Sequence, residues 1–160
     1  MISAPENEGT CLVQLKIDKS IVNINSVLHG GATASLVDLV STIALFNTAN
    51  KKPGVSVNMN INYLKAAKLD ETILIEGKVI KSGTKLAYLE ANIYLKKQNS
   101  FELDKDKLVA VGFHTKYIVW FKITLKLNKI KFFFSVILNN TQFKDKILFT
   151  ANIINFTILF

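Results

Sequence analysis

Within "VLHGGATASLVD", residues 27–38, the groups able to do chemistry are His29, the two glycines that follow it, and Asp38. Two adjacent glycines let another group approach the backbone closely. If a helix begins at this point, its free N–H groups and positive dipole end face whatever sits beside Gly30 and Gly31. Such a site suits a developing oxyanion. It equally suits a tight strand-to-helix turn with no ligand. Asp38 is the only acidic or lysine residue between His29 and Asn50. An unpaired carboxylate buried in a helix costs several kcal/mol or takes up a proton. The bland account is that Asp38 reaches solvent or meets the Thr42 hydroxyl one turn on. The lack of other charge around it favours a functional role. Nine residues separate His29 from Asp38, about 13 Å along a helix. One chain cannot bring both to the same carbon. Two chains can, if their helices pack antiparallel about a two-fold axis.

The elements that must hold these groups follow from periodicity. Residues 10–17 alternate, with Cys11, Val13, Leu15 and Ile17 on one face of a half-buried strand. Residues 31–46 carry Leu36, Val40 and Ile43 at helical spacing, joined by Leu39 and Ala44. A helix so poor in charge should be buried on most sides, and "NKKPG" should stop it. Four strands are expected afterwards. In residues 54–64, Val55, Val57, Met59, Ile61 and Tyr63 should oppose Ser56, Asn58, Asn60 and Asn62. Residues 72–81 alternate loosely. In residues 86–95, Ala87, Leu89, Ala91, Ile93 and Leu95 should share a face. In residues 108–117, Val109, Val111 and Phe113 should oppose Gly112 and His114. "KSGT" reads as a hairpin turn, and residues 96–107 as a solvated loop. The expected fold class is α+β, an antiparallel sheet wrapped around one long central helix.

Composition narrows the partners. The 160 residues are 49% hydrophobic, enough for one domain with a sizeable core. The net charge is +8, but residues 119–160 hold six lysines against one acid and so carry +5 of it. Arginine, the preferred residue for bidentate phosphate and base contacts, is absent. No nucleic-acid partner is expected. Two histidines without clustered cysteines or acids predict no metal, and the phosphate-loop pattern GxxxxGK[ST] does not occur. A single cysteine excludes an internal disulfide and fits a reducing compartment. No apolar run reaches the ~18 residues of a membrane span. Residues 119–160 read differently from the rest: Phe, Ile, Lys, Leu and Asn supply 31 of the 42. All five have AT-rich codons, so this atypical apolar, basic tail reads either as a genuine extension or as a translated intron or alternative 3′ exon.

Three segments, "NINSVLHGGATASLVDLVSTIAL", "PGVSVNMNINYLKAAKLDETILIEGKVIKSGTKLAYLEANIYL" and "AVGFHTKY", resemble the hotdog-fold acyl-CoA thioesterases of the phenylacetate-pathway type. The resemblance covers residues 1–118 in family order. It implies a hotdog domain there, hydrolysis of medium- or long-chain fatty acyl-CoA, and no cofactor beyond the coenzyme A of the substrate. It also implies a homodimer with shared active sites, assembled into a homotetramer. The compartment implied is the cytosol, with a mitochondrial form as the alternative.

Residue roles carry over as expectations. Asp38 would activate water or attack the thioester, and Ser56 would help hold it. Gly30 would donate its N–H to the thioester oxygen, Asn23 would position that carbonyl, and His29 would hold the turn. Coenzyme A contacts would fall on Tyr63, Leu64, Lys65, Ala66, Ala67 and Lys68, on Lys81, Ser82, Gly83, Thr84, Lys85 and Leu86, and on Tyr117. His114 has a family counterpart but receives no role. The chain departs from the pattern in lacking a helix before the first strand, in Ser26 where glycine is common, and in a long 96–107 loop. The rival readings are a binding module without turnover and an inactive splice product. A hotdog dehydratase would need a paired Asp and His within one chain, and none is found.

Overall fold

A computed structural model describes residues 2–3, 8–49, 52–97 and 100–118. They lie in one compact unit, Ile2–Lys122. The tail expected to be atypical, 119–160, falls outside the described residues. In chain order the elements are β1 (Ile2–Ser3), β2 (Thr10–Lys16), α1 (Gly30–Phe46), β3 (Val55–Tyr63), β4 (Thr72–Ser82), β5 (Leu86–Leu95) and β6 (Leu108–Tyr117). A short 3-10 turn, Lys105–Lys107, precedes β6. The strands form one sheet in the order β1-β2-β4-β5-β6-β3, and every pairing is antiparallel. β4 and β5 join through the expected hairpin, closed by Gly83 N–H to the Leu86 carbonyl at 2.8 Å.

The helix lies across one face of this sheet, and a row of small residues makes room for it. Cys11, Gly77, Ala91, Gly112 and Ile61 stand in register across five strands. A Cβ on Gly77 would lie 2.7 Å from the Val40 carbonyl oxygen, and one on Gly112 would overlap the Val37 methyl groups. In this row, three neighbouring strands thus carry nothing larger than a methyl beneath the helix. Val37, Val40 and Ala44 descend onto Ile73, Ile75, Ile93 and Ala110 to make the main core. Each fully buried Val or Ile contributes roughly 1.5–3 kcal/mol. Cys11 sits in this core, and burial pushes its thiol up to about 12, so it behaves as an inert apolar group.

Several expectations need correction. The helix is buried on one face only, through Thr33, Val37, Val40, Ser41, Ala44 and Leu45, because the sheet covers one side and the other stays open. It also stops before the lysines. Asn47 caps it with its N–H on the Ile43 and Ala44 carbonyls, and the Thr48 hydroxyl takes the Leu45 carbonyl at 2.8 Å. β6 keeps the expected opposition of Val111 and Phe113 to Gly112 and His114, and it is the glycine and histidine face that turns to the helix. Ala110, Gly112, His114 and Lys116 are buried, while Phe113 is exposed and Val111 half-buried. Apolarity alone misleads there, since the helix needs a glycine rather than a large side chain below Val37. β1 was not anticipated. Finally, β3 pairs with β6 and becomes a sheet edge.

Gly112→Ala should therefore lower the unfolding free energy by about 1–3 kcal/mol, with part of the loss recovered in a Gly112→Ala/Val37→Ala chain. Gly83→Ala, in the exposed hairpin, should stay within about 0.5 kcal/mol of the parent. Denaturant unfolding of the set measures both.

Candidate active site

Residues 21–29 form a closed loop that delivers the helix N-terminus. Val22 bridges Leu28, and His29 N–H reaches the Ile21 carbonyl at 2.8 Å. Asn23 ties the loop tip: its side-chain oxygen accepts from Asn25 N–H at 2.9 Å and Val27 N–H at 3.3 Å. Ser26 takes φ of 57°, a left-handed conformation that glycine adopts without strain, which accounts for glycine being common there. His29 is the N-cap, and its Nδ1 accepts from Gly31 N–H at 2.9 Å. An accepting Nδ1 places the ring proton on Nε2. Gly30, the first helical residue, has an N–H with no intrahelical carbonyl to meet. Its own carbonyl accepts from the Tyr63 hydroxyl at 3.3 Å. Beside it lies a cleft of about 330 Å³ between Leu28, Gly30, Thr33, Tyr63, Lys65 and Val109.

Asp38 lies two turns along the helix in a different setting. Its side chain is 48% exposed, so it is not the buried carboxylate its surroundings suggest. One oxygen, Oδ1, receives all its recorded contacts. Ser56 Oγ and Thr42 Oγ1 each lie at 3.4 Å, and His114 Nε2 and Lys116 Nζ at 3.6 Å. Ser56 arrives through a β-bulge. It pairs with Lys116, yet Asn58 pairs with the very next residue of β6, Thr115. Val57 is the extra residue, and it reverses the alternation. Ser56 therefore shares the helix side with Met59 and Ile61, not the polar face with Asn58 as simple alternation implied.

Below Asp38, His114 is fully enclosed and Lys116 only 5% exposed. Helix and strand keep step here. Four helical residues advance about 6 Å and two strand residues about 6.8 Å. Val37 sits on Gly112, so Ser41 falls on His114, with Oγ to Nδ1 at 2.8 Å. Ser41 also donates to the Val37 carbonyl at 2.7 Å. Its one proton being used, it accepts from Nδ1–H. Desolvation and the neighbouring Lys116 charge push His114 below its ordinary pKa, against the pull of Asp38. The ring is therefore neutral and turns a bare Nε2 to Ser56 Oγ at 2.9 Å. The Ser56 proton has two acceptors, His114 and Asp38. Lys116 also titrates low, through desolvation, with Asp38 opposing. Its Nζ bonds Thr42 Oγ1 at 2.7 Å.

The expected site residues thus fall into three places. Asp38 and Ser56 meet. His29 and Gly30 sit about 12 Å away along the helix, next to Tyr63, Leu64, Lys65, Ala66 and Ala67, with Lys68 bridging Val27. Lys81, Ser82, Gly83, Thr84, Lys85 and Leu86 form the β4–β5 hairpin. Leu86 pairs with Tyr117, which pairs with Val55 at the far end of β3. The eight steps from Val55 to Tyr63 span about 27 Å. Asn23 keeps its side-chain oxygen in its own loop. Sequence reasoning missed Ser41 and Lys116, left His114 without a role, and found no paired Asp and His within one chain, whereas the fold brings His114 Nε2 to 3.6 Å from Asp38 Oδ1. The signal available was "HTK", two polar residues two apart in a strand that had to face either helix or water. No metal-binding group of His, Cys, Asp or Glu occurs among the described residues. No helix among them is long and apolar enough to cross a membrane.

Comparison with known proteins identifies the family. The thioesterase superfamily profile matches residues 25–102. Acyl-coenzyme A thioesterase 13 of Homo sapiens is 41% identical over 110 residues, covering 69% of this chain and 74% of that protein. The Mus musculus protein of the same name is 38% identical, covering 74% of this chain and 78% of its own length. The crystal structure of zebra fish thioesterase superfamily member 2 superposes with a TM-score of 0.63 at 38% identity, covering 73% of this chain and 78% of that one.

The depressed pKa of His114 has a consequence for stability. Below the ordinary value of 6.5 the unfolded chain takes up a proton that folded His114 refuses. Stability should fall as pH drops from about 6.5 toward the folded pKa. His114→Gln should be weaker overall yet lose this part of the slope. Urea unfolding at a series of pH values separates the two effects.

Proposed function

This chain belongs to the thioesterase superfamily and is an acyl-CoA thioesterase, and on that premise we propose that it cleaves medium- and long-chain fatty acyl-CoA at sites shared between two subunits. The observation carrying the proposal is the separation of Gly30 from Asp38. The free N–H at the helix start and the carboxylate of one chain are too far apart to serve one thioester. Two helices related by a two-fold axis would set Gly30 of one subunit against Asp38 of the other.

The exposed edge supports this assembly. β3 offers unpaired backbone groups along its outer side, and Val57 on it is 61% exposed. Antiparallel pairing of two such edges would continue the sheet and bring the open faces of the two helices together. The same rotation would carry the hairpin Lys81–Leu86 and Tyr117 of one subunit toward Tyr63–Lys68 of the other. Both segments are expected to hold coenzyme A, with lysines and backbone N–H groups as phosphate donors. A homotetramer and a cytosolic location, with a mitochondrial pool as the alternative, complete the proposal on resemblance alone. The apolar lining from Leu28, Leu64, Ala67 and Val109 suits an alkyl chain.

In the reaction, the thioester carbonyl sits on Gly30 N–H, with Asn23 positioning it. Asp38 takes a proton from water as the oxygen adds to the carbonyl carbon. The tetrahedral oxyanion is held by the N–H, and its collapse breaks the C–S bond. The thiolate leaves with the proton Asp38 had taken, giving free acid and coenzyme A. In the covalent variant the Asp38 carboxylate adds to the carbonyl carbon, collapse breaks the C–S bond and expels coenzyme A thiolate, and water then hydrolyses the acyl–Asp38 anhydride to free acid and carboxylate.

Thiol release from an acyl-CoA series should peak at medium to long chains, and Asp38→Asn should lower kcat by about 10²-fold or more. Full activity in Asp38→Asn would remove Asp38 from the mechanism, and tight acyl-CoA binding without thiol release would make the protein a binding module. Val57→Lys, on the β3 edge, should shift sedimentation toward the monomer and lower activity per chain.

A further inference from the structure

We infer that Lys116 is a positioning residue for the reaction: its buried ammonium anchors one oxygen of Asp38 and leaves the other free for the thioester or water. This rests on the thioesterase reading above. The protons around Asp38 decide it. Thr42 Oγ–H is committed to the Asp38 backbone carbonyl at 2.6 Å. Ser56 shares its single proton with His114 Nε2, the nearer acceptor at 2.9 Å. Ser41 is turned to the Val37 carbonyl. His114, neutral and with its N–H on Ser41, offers Asp38 no proton. Lys116 remains as the one cation recorded within 4 Å of the carboxylate among the described residues, at 3.6 Å from Oδ1.

The placement of Lys116 excludes the ordinary account of a lysine in such a protein. At 4% exposure it cannot be a solvated surface charge or reach the phosphates of coenzyme A. Its register partner on β3 is Ser56, so strand pairing fixes its depth. Thr42 Oγ1 at 2.7 Å fixes its head group under the helix. Burying an ammonium is unfavourable without a countercharge, and Asp38 supplies it. All recorded side-chain contacts of Asp38 gather on Oδ1, which leaves Oδ2 as the oxygen presented to the reacting carbon or the attacking water.

The test is a kinetic cycle on the full chain with a medium-chain acyl-CoA. Lys116→Met keeps the stem and deletes the charge. It should lower kcat about ten- to a hundredfold, the worth of one close opposite charge shielded from water, with KM within about twofold of the parent. In an Asp38→Asn background, followed by single turnover, the same change should cost nothing further. Thr42→Val, which removes the seat and keeps the charge, should give an intermediate loss and serves if Lys116→Met folds poorly. Unchanged kcat in Lys116→Met, or an equal loss in the Asp38→Asn background, overturns the inference. A parent protein that releases no thiol overturns the thioesterase reading instead. The pairing is then judged by unfolding midpoints: additive shifts for Lys116→Met and Asp38→Asn would overturn it as well.

Discussion

The helix can lie where it does only because Gly77, Ala91 and Gly112 put no side chain larger than a methyl beneath it. That close approach fixes both depth and rotation. With Val37 seated on Gly112 and the Val40 carbonyl over Gly77, the next residue, Asp38, is turned toward β3 and β6. One helical turn on, Ser41 meets His114 and Thr42 meets Lys116. A bulky residue at position 112 would lift the helix and open each of these contacts. The packing of the core and the geometry of the carboxylate are one constraint seen from two sides.

Polar groups in this seam are satisfied in a fixed order. Each hydroxyl has a single proton, and the short contacts show where it goes. The order leaves His114 neutral, and a half-exposed carboxylate lies 3.6 Å from the buried Lys116 Nζ. That explains why a lone acid persists in a helix otherwise made of small and apolar residues. It also explains the bulge at Val57, without which Ser56 would face away from the helix and the His114–Ser56 contact would be lost.

Most of the architecture was legible in residue periodicity. The helix, the hairpin at Gly83 and the inward face of β5 follow from spacing of 3.6 and 2. The failures share one physical cause. Alternation assumes an unbroken pleat and a core that prefers large apolar residues. At Val57 the pleat is broken, so Ser56 changes sides. On β6 the alternation holds but gave no guide to the inward face: the core needs a glycine under Val37, so Val111 and Phe113 turn outward and a histidine and a lysine turn in. Strand order was not legible either, because nothing local distinguishes β3 pairing with β6 from β3 pairing with β4. Of the site, the His29–Gly30 turn and Asp38 stood out by composition. Lys116 did not, since a buried lysine looks in sequence like any other charge.

Gly30 and Asp38 lie about 12 Å apart along the helix, and the proposed thioester site needs their union across a two-fold axis. Subunit mixing tests this most directly. Gly30→Pro deletes the N–H and keeps the helix start, since proline suits the first helical position and His29 already has the extended ψ of 137° that it requires. Asp38→Asn deletes the carboxylate. Each variant alone should be inactive. Unfolded together and refolded at equal amounts, they should recover about a quarter of parental activity, because half the dimers are mixed and each mixed dimer has one intact site. No recovery, with mixed dimers shown to form, would contradict a site shared between subunits.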